Sequence, residues 1–144
     1  MTTTLYAQVR NTLRRAKTAL LICHIDLDCD TLGSMLGFSY LTDAFGIRST
    51  LFCKSKIPEA THFLPRSGKV IHKLTPQRRY DLAAVFDAGS LARIGLPDLH
   101  PYASTVLDID HHPDNQRFGD INLIEPKAAA TAEVVYQLFK YVHK

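Results

Sequence analysis

Two short runs of this chain, residues 19–23 and 82–86, are apolar at every position rather than at alternate ones, and a third, 105–109, is apolar at Val106, Leu107 and Ile109. A strand with one wet face alternates polar and apolar residues, whereas one apolar on both faces must be covered on both. Such strands belong to parallel sheets, and parallel strands need crossover connections between them. The stretches between the runs supply these. Residues 31–41 carry Leu32, Met35, Leu36, Tyr40 and Leu41 at helical spacing, and Gly46 follows where a helix is expected to end.

The rest of the chain extends the same pattern. Leu5, Val9, Leu13 and Ala16 predict an amphipathic opening helix whose basic residues form a solvated face. Residues 49–53 read as a second strand, 58–65 as a short helix or turn, and 70–71 as a brief further strand. Residues 91–94 read as a short helical segment, 121–124 as an edge strand, and 131–142 as a closing helix with Val134, Val135, Leu138 and Val142 on one face. Strands alternating with helices predict one α/β domain over residues 1–144, with helices sandwiching a mainly parallel sheet in three α/β/α layers.

A length of 144 residues fits a single core, and 46% hydrophobic with 22% charged residues describes a globular protein. The net charge of +3 permits a phosphate-bearing substrate without announcing nucleic acid. No apolar run approaches the roughly 20 residues of a membrane span, and the first ten residues lack a secretory apolar region, so a cytoplasmic protein with no membrane partner is expected. Three cysteines argue against a disulfide framework, and Cys23 and Cys53 read as buried small hydrophobes.

Ligands of open parallel sheets bind beyond the carboxyl ends of the strands. The first predicted strand ends in His24, Asp28 and Asp30; another ends in Asp87; the one at 105–109 ends in Asp110, His111 and His112. Sequence-distant carboxylates and imidazoles therefore meet on one rim. Mostly oxygen donors, a minority of imidazoles and no clustered thiolates suit Mn²⁺ or Mg²⁺ better than structural zinc. The number of donors suits two ions, with Asp87, alone at the end of a central strand, as the natural bridge.

These residues resemble a known family. His24-Ile-Asp-Leu-Asp28-Cys-Asp30-Thr-Leu-Gly33-Ser34 is similar to the first motif of the DHH phosphoesterases. Asp87 with Arg93-Ile-Gly95 resembles the second, and Asp110-His111-His112 with Pro113 and Asn115 the third. His62-Phe63-Leu64-Pro65, Phe118-Gly-Asp-Ile-Asn122 and Thr131-Ala-Glu133 resemble the NrnA-like oligoribonuclease and 3′-phosphoadenosine 5′-phosphate phosphatase branch. The resemblance implies a Rossmann-like catalytic domain that hydrolyses short oligonucleotides or nucleotide phosphates with two Mn²⁺ ions, Mg²⁺ being an alternative. It implies that His24, Asp28 and Asp87 hold one ion and that Asp30, Asp87 and His111 hold the second. His112 would meet the substrate phosphate or leaving group, and Asp110 would fix His111 through its free ring nitrogen. Arg93 and Asn115 are further candidates for substrate contact.

The RecJ-type exonuclease, the cyclic-dinucleotide phosphodiesterase and the family II pyrophosphatase share these motifs, and a catalytically impaired metal- or nucleotide-binding module is a further alternative. Relative to the family, Leu27 and Cys29 replace Pro and Gly, and Ala130 replaces a frequent Ser. No fourth motif or second, substrate-binding domain follows residue 142, so the second ion is expected to be one carboxylate short. Neither Asp114 nor Asp120 aligns with that motif. A homodimer is compatible with all of this.

Overall fold

The computed structural model describes residues 2–143, with side chains from residue 4. Met1 and Lys144, the bounds of the expected domain, lie outside the described residues. The order of elements is α1 (Thr2–Arg15), β1 (Thr18–Cys23), α2 (Cys29–Ala44), β2 (Arg48–Phe52), β3 (Tyr80–Phe86), β4 (Ala103–Asp110), β5 (Ile121–Ile124) and α3 (Thr131–Val142), with 3-10 turns at Glu59–Thr61, Ser67–Lys69 and Leu91–Ile94. The five strands form one sheet in the order β2-β1-β3-β4-β5, every pair parallel.

The apolar runs are the middle of that sheet. Leu21, Cys23, Ala84, Phe86, Leu107 and Ile109 pack on one face with α1, α2 and α3. Leu20, Ile22, Ala83, Val85 and Val106 fill the other with Ile94 and Leu99. All three α-helices thus serve one face, and the layer on the other side is the Leu91–Ile94 turn with its flanking loops. This explains why β1, β3 and β4 read as continuous apolar strands although few residues are available to cover the second face.

Two local expectations change. The helix of the first motif starts at Cys29, two residues before Thr31, because Asp28 caps it by accepting from the Thr31 amide at 3.0 Å. Residues 70–71 make only an isolated bridge between Ile71 and Phe52, since Val70 is the last residue of a tight turn. Gly46 has φ +71° and closes α2 as expected.

Strand order and register place the chemistry. In the order 2-1-3-4-5 the direction of winding reverses between β1 and β3, and the crevice there is where such sheets hold ligands. Cys23 is level with Phe86, and Phe86 with Ile109. His24, Asp87 and Asp110 are therefore the next residues on three adjacent strands, and the Asp87 amide still donates to Ile109 O at 3.0 Å.

Candidate metal centre

Asp87 leaves the sheet at φ +62°, in the left-handed region that few residues other than glycine enter. Such a backbone costs of order 1–3 kcal/mol, which the surrounding structure must hold in place. The side chain gains a buried position between imidazoles on both sides. Oδ2 is 3.5 Å from His24 Nε2, and Oδ1 is 3.6 Å from His111 Nε2 and 3.7 Å from His112 Nδ1. His24 Nε2 is also 3.7 Å from Asp28 Oδ2. Two compact donor groups result, His24 with Asp28 and Asp87, and Asp87 with His111 and His112.

Those separations test whether cations fit. At 3.5–3.8 Å the nitrogens and oxygens are too far apart for hydrogen bonds. Two donors each about 2.1 Å from a shared ion at tetrahedral to octahedral angles stand roughly 3–3.5 Å apart, close to this spacing. The donor chemistry, carboxylate oxygen with imidazole nitrogen, also suits a divalent ion. His24 is 1% exposed and its Nδ1 has no partner, so Nε2 is the only side of that ring in polar company. The set fits.

A second layer of contacts fixes these donors. The Thr131 hydroxyl donates to Asp87 Oδ1 at 2.8 Å, and the Thr31 hydroxyl donates to Phe86 O at 2.8 Å. Burial alone would raise the Asp87 carboxyl, but the His24 imidazole, the Thr131 hydroxyl and the charge of His112 hold it below the usual range. His111 turns Nδ1 to Ala128 O at 3.2 Å, leaving Nε2 toward Asp87.

This corrects the role expected of Asp110. Its ring partner is His112, whose Nδ1 lies 2.7 Å from Asp110 Oδ1, while the His111 ring is oriented by a backbone carbonyl. Asp110 is fully buried and accepts from the amides of His111 and His112 as well, at 2.7 and 3.2 Å. The bond to Asp110 raises the His112 imidazole above its ordinary value, and the charges of Asp110, Asp87 and Asp114 act in the same sense.

Asn115 is placed behind this pair rather than at the open surface. Its amide donates to Asp110 Oδ2 at 2.7 Å and to Ala88 O at 3.3 Å, and its oxygen accepts from the Arg117 amide at 2.6 Å. With both ends of the amide used internally, Asn115 supports Asp110 instead of offering a group to substrate. Arg93 is exposed and lines a cavity of about 230 Å³ together with Asp87, Ser90, His112, Asp114 and Gln116. Asp120 is elsewhere, accepting from the Val106 amide at 2.8 Å near the other end of β4.

Asp30 has a role that the sequence did not suggest. Its two oxygens accept from the Thr131 and Ala132 amides, both at 2.9 Å, so it caps α3 from across the molecule. Ala130 at the N-cap has no side chain able to do so. Asp30 Oδ2 is 3.8 Å from His111 Nε2, at the margin of the second donor group. Cys29, between the two acids of the motif, is an exposed free thiol.

Two residues of consequence escaped sequence reasoning. Thr131 sits at the first turn of a predicted helix, and nothing in its neighbours announces a bond to residue 87. Asp108 was visible as an acid inside an apolar run. It is fully buried, neither oxygen has a hydrogen-bond donor, and burial pushes its carboxyl up to about 7. The charge of Asp110 adds to this, and Asn115, whose amide is spent on Asp110 and Ala88, relieves it only partly. Gly119 lies over Asp108, where a Cβ would stand 3.0 Å from the Asp108 nitrogen and 2.7 Å from Ile121 O.

Comparison with known proteins agrees with this arrangement. Residues 18–144 match the DHH family, N-terminal domain. The chain is 32% identical over 118 residues to the bifunctional oligoribonuclease and PAP phosphatase NrnA of Thermus thermophilus, covering 80% of this chain and 34% of that protein. It is 24% identical over 122 residues to NrnA of Bacillus subtilis, covering 85% and 38%. The chain thus spans about a third of the length of these relatives. A crystal structure of an exopolyphosphatase-related protein from Bacteroides fragilis shares the fold, with a TM-score of 0.84 at 21% identity over 96% of this chain and 44% of that one.

Proposed function

Because the chain belongs to the DHH family through its N-terminal domain, we propose that it hydrolyses phosphoester bonds of short oligonucleotides or 3′-phosphoadenosine 5′-phosphate with two divalent ions, Mn²⁺ or Mg²⁺. The observation that carries this reading is the shared carboxylate. Asp87 faces His24 with one oxygen and His111 and His112 with the other, and so belongs to both donor groups. Curated relatives named as oligoribonuclease and PAP phosphatase support the substrate class.

In this proposal His24, Asp28 and Asp87 hold one ion. Asp87 and His111 hold the second, with Asp30 or His112 at its margin. Bound ions would supply Lewis acidity and a water whose pKa is lowered to about 7, a nucleophile at neutral pH. The chain's own residues do the rest. Thr131 and the Asp87 backbone hold the shared carboxylate ready, without reorganisation during the reaction. Asp110 holds His112 through Nδ1, which leaves Nε2 as the nitrogen able to donate a proton to the departing oxygen. Arg93, on the wall of the same cavity, meets the phosphate's negative charge. A cytoplasmic location, where nucleotide phosphates are met, belongs to the same proposal.

The test pairs binding with turnover. Wild type should bind Mn²⁺ and release phosphate or mononucleotides from 3′-phosphoadenosine 5′-phosphate and di- to tetranucleotides. Asp87→Ala should lose both properties. Turnover retained by Asp87→Ala in Mn²⁺ would overturn the reading. A second reading, a metal- or nucleotide-binding module without turnover, is favoured by Asp30, whose two oxygens are taken up by the Thr131 and Ala132 amides. Mn²⁺-dependent nucleotide binding with no hydrolysis across the panel would select it.

A further inference from the structure

Two segments of this chain are strongly basic, the opening one with Arg10, Arg14, Arg15 and Lys17 and the connection between β2 and β3. Residues 54–79, between β2 and β3, carry seven Lys and Arg against a single acid, Glu59, a net of +6 where the whole chain is +3. The remaining residues are therefore net negative. Arg66 is paired with Asp43 at 2.7 Å, but among the described residues no carboxylate pairs with Lys56, Lys69 or Lys73, all exposed.

The same connection encloses a cavity of about 480 Å³, within the range of small-molecule sites, lined by Lys56, Ile57, His62, Ser67, Val70 and His72. Its imidazoles are oriented by backbone carbonyls, His62 by Ile57 O at 3.2 Å and His72 by Cys53 O at 2.8 Å. Beside His62, Phe63 leaves its ring 78% exposed. The cavity lies beyond the carboxyl end of β2, beside β1, and Cys53, whose carbonyl holds His72, also donates from Sγ to the backbone oxygen of His24 at 3.4 Å.

We infer that this cavity, with Lys56 on its wall and Lys69 on the Ser67–Lys69 turn beside it, is a second nucleotide subsite, taking the base and phosphate of the nucleotide next to the one whose phosphate lies at Asp87. The inference rests on the phosphoesterase reading and deepens it, since it favours single-stranded oligonucleotides over mononucleotides. Ile57, Val70 and the imidazole faces offer apolar and stacking surface for a base, and Phe63 offers a further platform. Lys56 and Lys69 neutralise the phosphates. Inorganic polyphosphate shares the charge but has nothing to place against the apolar wall.

The experiment measures binding without metal or turnover. Fluorescence anisotropy of 5′-fluorescein-labelled hexa-adenylate RNA is followed in EDTA against the 144-residue chain across a salt series. Wild type should bind the hexamer well above fluorescein-labelled AMP. Lys56→Glu/Lys69→Glu should lose at least tenfold in affinity, and the slope of log affinity on log salt should flatten by about 1.4, as expected for two lost phosphate contacts on a single strand. Lys140→Glu, near the end of α3 remote from both lysines, should bind as wild type does. Equal affinity for AMP and hexamer, an unchanged double variant with a native circular dichroism spectrum, or polyphosphate competing as well as unlabelled RNA would each overturn the subsite. Tight metal-free binding with no hydrolysis of any substrate in Mn²⁺ would instead count against the phosphoesterase reading and leave the subsite standing.

Discussion

The hydroxyl of Thr131 lies 2.8 Å from Asp87 Oδ1, joining the first turn of the last helix to the end of a central strand. The bond crosses 44 residues of sequence and holds the carboxylate that both donor groups share. Partners of this kind typically cost 10–100-fold in metal affinity when removed. Thr131→Val should weaken Mn²⁺ binding by that factor in isothermal titration calorimetry, and Thr131→Ser should restore most of it. Wild-type affinity in the valine variant would show the bond to be incidental.

Asp30 is expected to stabilise the fold before any metal binds, because its oxygens cap α3 through the Thr131 and Ala132 amides. Removing a helix cap costs about 1 kcal/mol, in a range of roughly 0.5–2. Asp30→Ala should therefore unfold at lower urea even in EDTA. A residue acting only as a metal ligand would give equal or greater metal-free stability on substitution, so the two roles separate cleanly.

Asp108 makes stability depend on pH in a stated direction. An unfolded Asp titrates near 3.9, whereas burial, with the charge of Asp110, pushes this one up to about 7. Between those values the folded state keeps a proton that the unfolded state has lost. Stability is thus full below about pH 4 and declines as pH rises to about 7, by up to roughly 4 kcal/mol. Asp108→Asn should be more stable than wild type at pH 8, with the gain shrinking toward pH 4. Urea denaturation at the two pH values checks this, and an equal gain at both would refute it.

Asp110 holds the His112 imidazole above its ordinary pKa through the bond to Nδ1. That interaction is present while His112 is protonated and is lost as pH rises through its raised folded-state value. Asp110→Asn should move the His112 midpoint down in a metal-free NMR titration. Asp114→Asn should move it less, because Asp114 acts only through charge at the edge of the cavity.

Much of this was legible along the chain. Consecutive apolar residues announced strands covered on both faces, and β1, β3 and β4 are those strands. Residues that follow such strands must lie on one rim when the strands are parallel, which is why His24, Asp87 and the 110–112 triplet could be grouped without coordinates. Periodicity also set α2 and α3, while residues 70–71, too few to carry a period, became an isolated bridge. Asp108 shows the opposite failure, since an acid within an apolar run reads as noise until its burial is seen.

Chain-local chemistry thus sufficed for the architecture and the family, because strand burial and motif spacing are properties of neighbouring residues. It could not say which donor faces which. That Asp110 grips the His112 ring and not the His111 ring, that Asn115 lies behind Asp110, and that Asp30 caps a helix a hundred residues away all depend on side-chain directions. Those directions are settled only when β1, β3, β4 and the start of α3 pack together, where each buried polar atom must take whichever partner lies within hydrogen-bonding reach.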